Sequence, residues 1–391
     1  MYRLEGAMRR YSWGSTTLVH QLLGRPVDGR PIAEVWLGAH PDGPAVANGG
    51  GRKTPLDELV AAQPQAMLGP RVLASTGPRL PFLPKILAAA HALSIQVHPT
   101  TAQAVAGFAA EDERGVPRTD PARTYRDRSA KPEIVYALTP FELLSGLREP
   151  EQAAKLVAEL EVPALNPLVV LLREQRADAH RGALTWLLGQ RGSAAPWVEA
   201  VAATARDAVG ARPELAVVHD LAQQFPGDPG LLAPLLLNHE RLEPGQALYT
   251  APGTLHAYLR GMAIEVMAAS DNVLRAGLTT KHVDVTELLS ITDFTPRLTG
   301  FLRPARGVPG IVDYVAPAAN LGLRVVTPRA GETLPGPEEG PRIAVCVEGE
   351  VEIEVAAGEA QRLLPGEAVF VPHIDGALAV SGNGTAVVAR A

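Results

Sequence analysis

A short internal repeat limits what this chain can fold into more than any other feature. Arg241-Leu242-Glu243-Pro244-Gly245-Gln246-Ala247-Leu248-Tyr249 is echoed by Arg362-Leu363-Leu364-Pro365-Gly366-Glu367-Ala368-Val369-Phe370. In each copy a Pro-Gly turn enters an apolar run that leads to another proline, Pro252 or Pro372. Such a unit belongs to antiparallel sheet, and its duplication predicts two β-barrels of jelly-roll type. Strand texture also fills the stretch up to about residue 145. It returns at Asn238 and runs to the end, with one helical interruption over 284–290. Between the two, residues 151 to about 236 are rich in Ala, Leu, Arg and Glu. Leu156 and Leu160, then Leu215, Val218, Leu221 and Ala222, recur at helical spacing. The expected fold is mainly β with an α-helical insert: two barrels plus a helical domain. The expected boundaries are 1–147 with 238–300 for the first barrel, 148–237 for the insert and 301–391 for the second barrel. Residues 111–128 are charged and aperiodic and read as an exposed excursion.

The chain has 391 residues, more than one ordinary core holds. A net charge of -6 gives no basic footprint for nucleic acid. The single cysteine, Cys346, rules out a disulfide framework and leaves nitrogen and oxygen ligands for any metal. Met1-Tyr2-Arg3-Leu4-Glu5 has no apolar signal core, and no window approaches the roughly 18 apolar residues of a membrane span. The cytoplasm is therefore the expected compartment, with no membrane partner.

Four segments carry polar groups that invite chemistry. In Leu93-Ser94-Ile95-Gln96-Val97-His98, alternation sends the apolar residues into a core and puts Ser94, Gln96 and His98 together on the other face. By the same rule Lys131 and Glu133 share a face in Lys131-Pro132-Glu133-Ile134-Val135. Pro252-Gly253-Thr254-Leu255-His256-Ala257-Tyr258 directly follows the first repeat copy. The second copy, with Val371-Pro372-His373-Ile374-Asp375, lacks the Thr-x-His-x-Tyr pattern. Finally, the strand with Glu265 runs into a polar loop, Ser270-Asp271-Asn272-Val273-Leu274-Arg275. There Arg275 stands among small and apolar residues and needs an anion, either a substrate group or Asp271. Each segment alone also fits a solvated strand face or a surface ion pair.

Together the blocks resemble the type I phosphomannose isomerases of the cupin superfamily. Tyr11-Ser12-Trp13-Gly14-Ser15, Ala33-Glu34-Val35-Trp36-Leu37-Gly38-Ala39-His40-Pro41, Leu83-Pro84-Lys85-Ile86-Leu87 and Phe141-Glu142-Leu143-Leu144-Ser145-Gly146 extend the likeness. The resemblance implies one zinc ion per chain, held by Gln96, His98, Glu133 and His256. It also implies interconversion of mannose 6-phosphate and fructose 6-phosphate through an enediol. Arg275 would stabilise that intermediate, and Glu265 or Lys131 would move the proton. Ser94, Lys85, Asp271, Lys281 and Tyr258 would bind the sugar phosphate, with Lys85 and Lys281 available for phosphate. Ser129-Ala130 departs from the Asn-His pair expected before Lys131. Glu34, Trp36 and His40 are expected to be structural, and the insert a buttress, with a lid over the pocket as the alternative. A hexose phosphate is the expected partner, and a monomer the expected state, with a homodimer as the alternative. The nitrogen and oxygen donors would also accept Fe(II), Mn(II) or Co(II). A cupin oxygenase and a non-catalytic sugar-phosphate-binding module are the competing functions.

Overall fold

The two repeat copies fold alike, and their glycines explain how. Gly245 and Gly366 take φ of 89° and 82°, a region open to glycine and strained for other residues. In both turns the next residue closes the loop twice. The backbone N–H of Gln246 donates to Glu243 O and that of Glu367 to Leu364 O. Their side-chain oxygens accept the N–H of Glu243 and Leu364 in return. The likeness continues along the strands His256–Ala268 and Leu378–Arg390, which bear Gly261 at φ 116° and Gly382 at φ 112°. At either glycine a Cβ would lie 2.5 Å from a neighbouring backbone oxygen, that of Pro140 or Glu350.

In the computed structural model, which describes every residue except 175–177, 192–195, 208–209, 211, 298–299 and 318–320, the strands form two antiparallel sheets. The ten-stranded sheet is organised around His256–Ala268, which pairs with Phe82–Ala89, Ile95–Val97, Glu133–Ala137 and Phe141–Leu147. The eleven-stranded sheet is organised around Arg342–Val355, paired with Leu378–Arg390, Ala368–Val371 and Ala360–Leu363. Its core is aliphatic, with Ile353, Val369 and Val388 around the buried, free Cys346. The first strand, Tyr2–Glu5, joins this second sheet, between Ala368–Val371 and Val46–Gly49. The eleven-stranded sheet thus combines strands from near the start of the sequence with those after residue 304.

The helical block runs from Pro150–Ala158 through Asn166–Glu174, Ala179–Gly189, Pro196–Asp207 and Pro213–Gln224 to Ala233–Leu236. Its core is continuous with Ile95, Val97, Leu255, Ala257, Leu274 and Ala276 of the ten-stranded sheet. Because side chains alternate along a strand, Gln96, His256 and Arg275 are left facing the other way.

One expectation needs correction and another a qualification. The stretch before residue 145 also holds the helices Leu18–Leu22, Leu56–Ala62, Pro64–Thr76 and Thr101–Glu113. Pro64 and the break at Gly69 and Pro70 disguise the helical period of the middle two. Residues 111–128 are mostly exposed, as expected, but the segment is anchored inward at Glu111, Arg123 and Tyr125. Arg123 is buried, 3.0 Å from Glu111 and 2.8 Å from Asp112, and Tyr125 is buried beside it. Arg123 and Glu111 turn inward because they neutralise one another, which a lack of periodicity does not reveal. No helix among the described residues is long and apolar enough to cross a membrane.

Gly261→Ala should lower stability by roughly 2 to 3 kcal/mol, since the new Cβ strains φ and meets a carbonyl oxygen. A thermal unfolding midpoint equal to the parent's would show that this strand tolerates a side chain there.

Candidate active site

Strand ends and register bring three buried side chains together. His98 follows Ile95–Val97, Glu133 opens Glu133–Ala137, and His256 opens His256–Ala268. Gln96 is paired with His256 on one side and with Arg275 on the other, so these three share a face. His98 Nε2 stands 3.2 Å from one Glu133 oxygen and His256 Nε2 3.4 Å from the other, with ring centroids 5.0 Å apart.

The outer ring nitrogens determine what this arrangement needs. His98 Nδ1 lies 2.8 Å from the carbonyl oxygen of Asn272, and His256 Nδ1 lies 2.9 Å from that of Thr254. A carbonyl only accepts, so each Nδ1 carries the hydrogen, and a neutral ring turns the lone pair of Nε2 toward the carboxylate. Lone pairs facing a carboxylate repel, and the buried His98 Nε2 has no hydrogen-bond partner. A divalent cation between them turns repulsion into ligation, and a carbonyl-anchored Nδ1–H is the usual support for a ligating imidazole. Burial and the Lys131 ammonium push the pKa of His98 down to about 4, which keeps the ring neutral. Burial opposes ionisation of Glu133, but the Lys131 ammonium, 2.9 Å away, holds its carboxyl well below the usual range. Gln96 Nε2 donates to Ser94 Oγ at 3.2 Å, which leaves its Oε1 as a fourth donor to a cation.

A second cluster, His40, Asp42 and Asp271, is wired the opposite way. The backbone N–H of Asp42 donates to His40 Nδ1 at 3.2 Å, so the hydrogen sits on Nε2, which donates to Asp271 at 3.1 Å. This ring is satisfied and has no lone pair for a metal.

Beside the first cluster opens a cleft of about 930 Å³. Strand register places Lys85 between Trp36 and Glu265. Lys85 Nζ is 3.0 Å from Glu265 and 3.4 Å from Glu34. Burial alone would favour the neutral amine, but these two carboxylates raise its pKa and keep it charged. Burial also raises the pKa of Glu265, against the pull of Lys85. Tyr258 Oη donates to Glu133 at 3.2 Å. Arg275 has no anionic partner among the described residues. Burial and the nearby Arg126 lower its pKa, and burial and Arg275 lower that of Lys281. Mutually repelling cations on a cleft wall call for an anion.

Ser94, Gln96, Lys85, Lys131, Glu133, His256, Tyr258, Glu265, Arg275 and Lys281 all line this cleft, with His98 buried behind it. Asp271 does not line the cleft: its carboxylate accepts from His40, so neither the sugar-site role nor a bridge to Arg275 matches its surroundings. Ser129-Ala130 is fastened from the facing loop, where Asn272 Nδ2 donates to Ser129 O at 2.9 Å. Glu34 and Trp36, expected to be structural, line the cleft, and the Trp36 indole donates to Glu34 at 2.8 Å. Their alternation was the available signal, but it needed the register against Lys85 to be read. Gln223, Gln224 and Phe225 bring the helical insert into the wall, which no sequence pattern announces.

The wiring of the imidazoles makes a prediction. His256→Ala should abolish stoichiometric divalent metal in the purified protein, whereas His40→Asn should leave it intact. Elemental analysis reads both, and equal metal loss in the two variants would contradict the tautomer assignment.

Comparison with known proteins agrees with this site. The family model for phosphomannose isomerase type I, catalytic domain, matches residues 1–150. The mannose-6-phosphate isomerase of Salmonella typhimurium is 35% identical over 390 residues, covering 98% of each chain. That of Escherichia coli is 34% identical over 388 residues, again covering 98% of each. A zinc-bound crystal structure of mannose 6-phosphate isomerase superposes with a TM-score of 0.90 at 32% identity, covering 100% of this chain and 98% of the other. The Salmonella typhimurium enzyme bound to fructose 6-phosphate and zinc gives 0.89 at 32% identity, covering 100% and 99%. With a buried His-Glu-His cluster beside a cationic cleft, and relatives alike over nearly their whole length, the chain belongs to the type I phosphomannose isomerase family.

Proposed function

We propose that this chain is a zinc-dependent aldose–ketose isomerase that interconverts mannose 6-phosphate and fructose 6-phosphate. The observation that carries this reading is the pair of imidazoles whose carbonyl-held Nδ1–H groups leave both Nε2 atoms aimed at Glu133, at the edge of the cleft with Lys85, Glu265 and Arg275. His98, Glu133, His256 and Gln96 are the proposed ligands of one zinc ion. When bound, the ion supplies a Lewis acid that draws electron density from a sugar oxygen.

The protein's own groups account for the proton transfer between C1 and C2. Glu265 is the proposed base: burial raises its pKa toward the range in which one carboxyl can both take and return a proton. Lys131 is paired with Glu133 at 2.9 Å, which fits it to orient that carboxylate and meet a sugar oxygen. Lys85 lies between Glu34 and Glu265, which fits it to hold the base rather than the phosphate. Tyr258 steadies Glu133 through its hydroxyl. Arg275 faces the cleft without a counter-ion and is assigned to the enediolate oxygen, while Lys281 is assigned to the phosphate. Ser94, which accepts from Gln96, keeps its own hydroxyl hydrogen for a sugar oxygen.

Jelly-roll barrels of the cupin type, divided at 1–147 with 238–300, 148–237 and 301–391, are the proposed domain description, with the exception that Tyr2–Glu5, Val46–Gly49 and Arg52–Pro55 pair into the second sheet. It is supported by the matching turns and kinked strands of the two repeat copies. We place the enzyme in the cytoplasm and propose a monomer, with a homodimer as the alternative. An oxygenase has no use for the Lys85–Glu265 pair, and a simple binding module has no use for a base beside a metal.

A coupled assay for mannose 6-phosphate isomerisation is the direct test. Arg275→Ala should keep its zinc and lose about a hundredfold or more in turnover, as for removal of one oxyanion donor. Undiminished turnover would remove Arg275 from the mechanism. Glu265→Gln should also keep zinc, and should abolish incorporation of solvent deuterium at C2 of recovered aldose. Incorporation at the parent's level would move the base role to Lys131.

A further inference from the structure

Two charged residues of the helical insert grip a single residue of the cleft wall. Asp228 Oδ1 accepts the backbone N–H of Gly230 at 2.8 Å, which sets the short turn Pro229–Leu232. Its other oxygen accepts the backbone N–H of Thr279 at 3.3 Å and lies 3.4 Å from Arg191 Nη1. Arg191 Nη2 donates to the carbonyl oxygen of the same Thr279 at 3.0 Å. Both backbone polar groups of Thr279 are therefore held from the insert. Next to it the backbones nearly touch: a Cβ on Gly230 would meet Leu278 N at 3.0 Å and Gly277 Cα at 3.3 Å. Leu278 itself is buried at φ 54°, a conformation rare for a leucine and kept only where the surroundings fix it.

The gripped segment joins Arg275 to Lys281, the cations that face the cleft, so its backbone path sets the spacing between them. A helical block that served only as a buttress would need apolar burial alone, and the shared core already supplies that. The charged grip adds direction: it fixes the position of one amide along the wall.

We infer that Arg191 and Asp228 are positioning residues for phosphate recognition, acting from the insert through Thr279. This rests on the assignment of Lys281 to the phosphate. The insert then takes part in substrate selection: it favours sugars bearing a phosphate that reaches the rim over the same sugars without one.

The test uses zinc-loaded, full-length Arg191→Met and Asp228→Asn. Each should raise KM for mannose 6-phosphate about tenfold, since small misplacements of a binding group are amplified in this way. Each should also weaken competitive inhibition by inorganic phosphate by a similar factor. Zinc content should be unchanged and kcat should stay within about twofold, with the double variant no worse than either single one, as for residues acting through one contact. Parent-like KM and phosphate inhibition in both variants would overturn the inference. So would a KM rise accompanied by zinc loss, or one that disappears at temperatures well below the unfolding midpoint. Lys281→Ala separates the two layers: unaltered phosphate inhibition there refutes the anion-binding reading itself, whereas weakened inhibition there with silent Arg191 and Asp228 variants refutes only the grip.

Discussion

The site depends on an electrostatic conflict that the protein alone does not resolve. Two carbonyl oxygens, those of Asn272 and Thr254, fix the hydrogens of His98 and His256 on the outer nitrogens. The inner nitrogens then converge on Glu133, whose charge is secured by Lys131 despite its burial. Without a cation the pocket keeps unpaired lone pairs in a low-dielectric interior, an arrangement that folding alone would not favour. The contrast with His40 shows how little decides the outcome. One backbone N–H, that of Asp42, reverses the tautomer and turns a similar cluster into an ordinary hydrogen bond.

Sheet geometry distributes the work around that conflict. The strands carrying Gln96, His256 and Arg275 are two-faced, polar toward the cleft and apolar toward the helices. The same alternation that aims the ligands also anchors them, because Ile95, Val97, Leu255, Ala257, Leu274 and Ala276 are locked into the helical core. Pre-organisation of this kind keeps ligand distances from drifting. The buried Lys85 with its two carboxylates is a second polar network on the same face, and each member is charged or polarised by another.

The parts of this plan that rest on local periodicity were legible in the sequence, and those that rest on long-range pairing were not. Alternation put Gln96 with His98 and Lys131 with Glu133, and the duplicated Pro-Gly turn marked two matching β units, because both rest on local backbone periodicity. Asp271 misled because its neighbours in sequence suggested the cleft, while its partner, His40, lies far away along the chain. Glu34 and Trp36 gained their role only through pairing with Lys85. Arg123 could not be recognised as buried without knowing that Glu111 and Asp112 fold back upon it. The contribution of Gln224 and Asp228 was invisible for the same reason, since nothing local distinguishes a helix end that meets a cleft from one that meets solvent.

The placement of the first strand has a consequence for biosynthesis. Tyr2–Glu5 lies between Val46–Gly49 and Ala368–Val371, with Tyr2 opposite Phe370. As the nascent polypeptide leaves the ribosome, one edge of this strand must stay open until Ala368–Val371 has also been made, on the order of tens of seconds later. An open strand edge is a site for mispairing with other chains. Arg3 and Glu5 flank Leu4 there, and charged side chains on a waiting edge discourage such encounters.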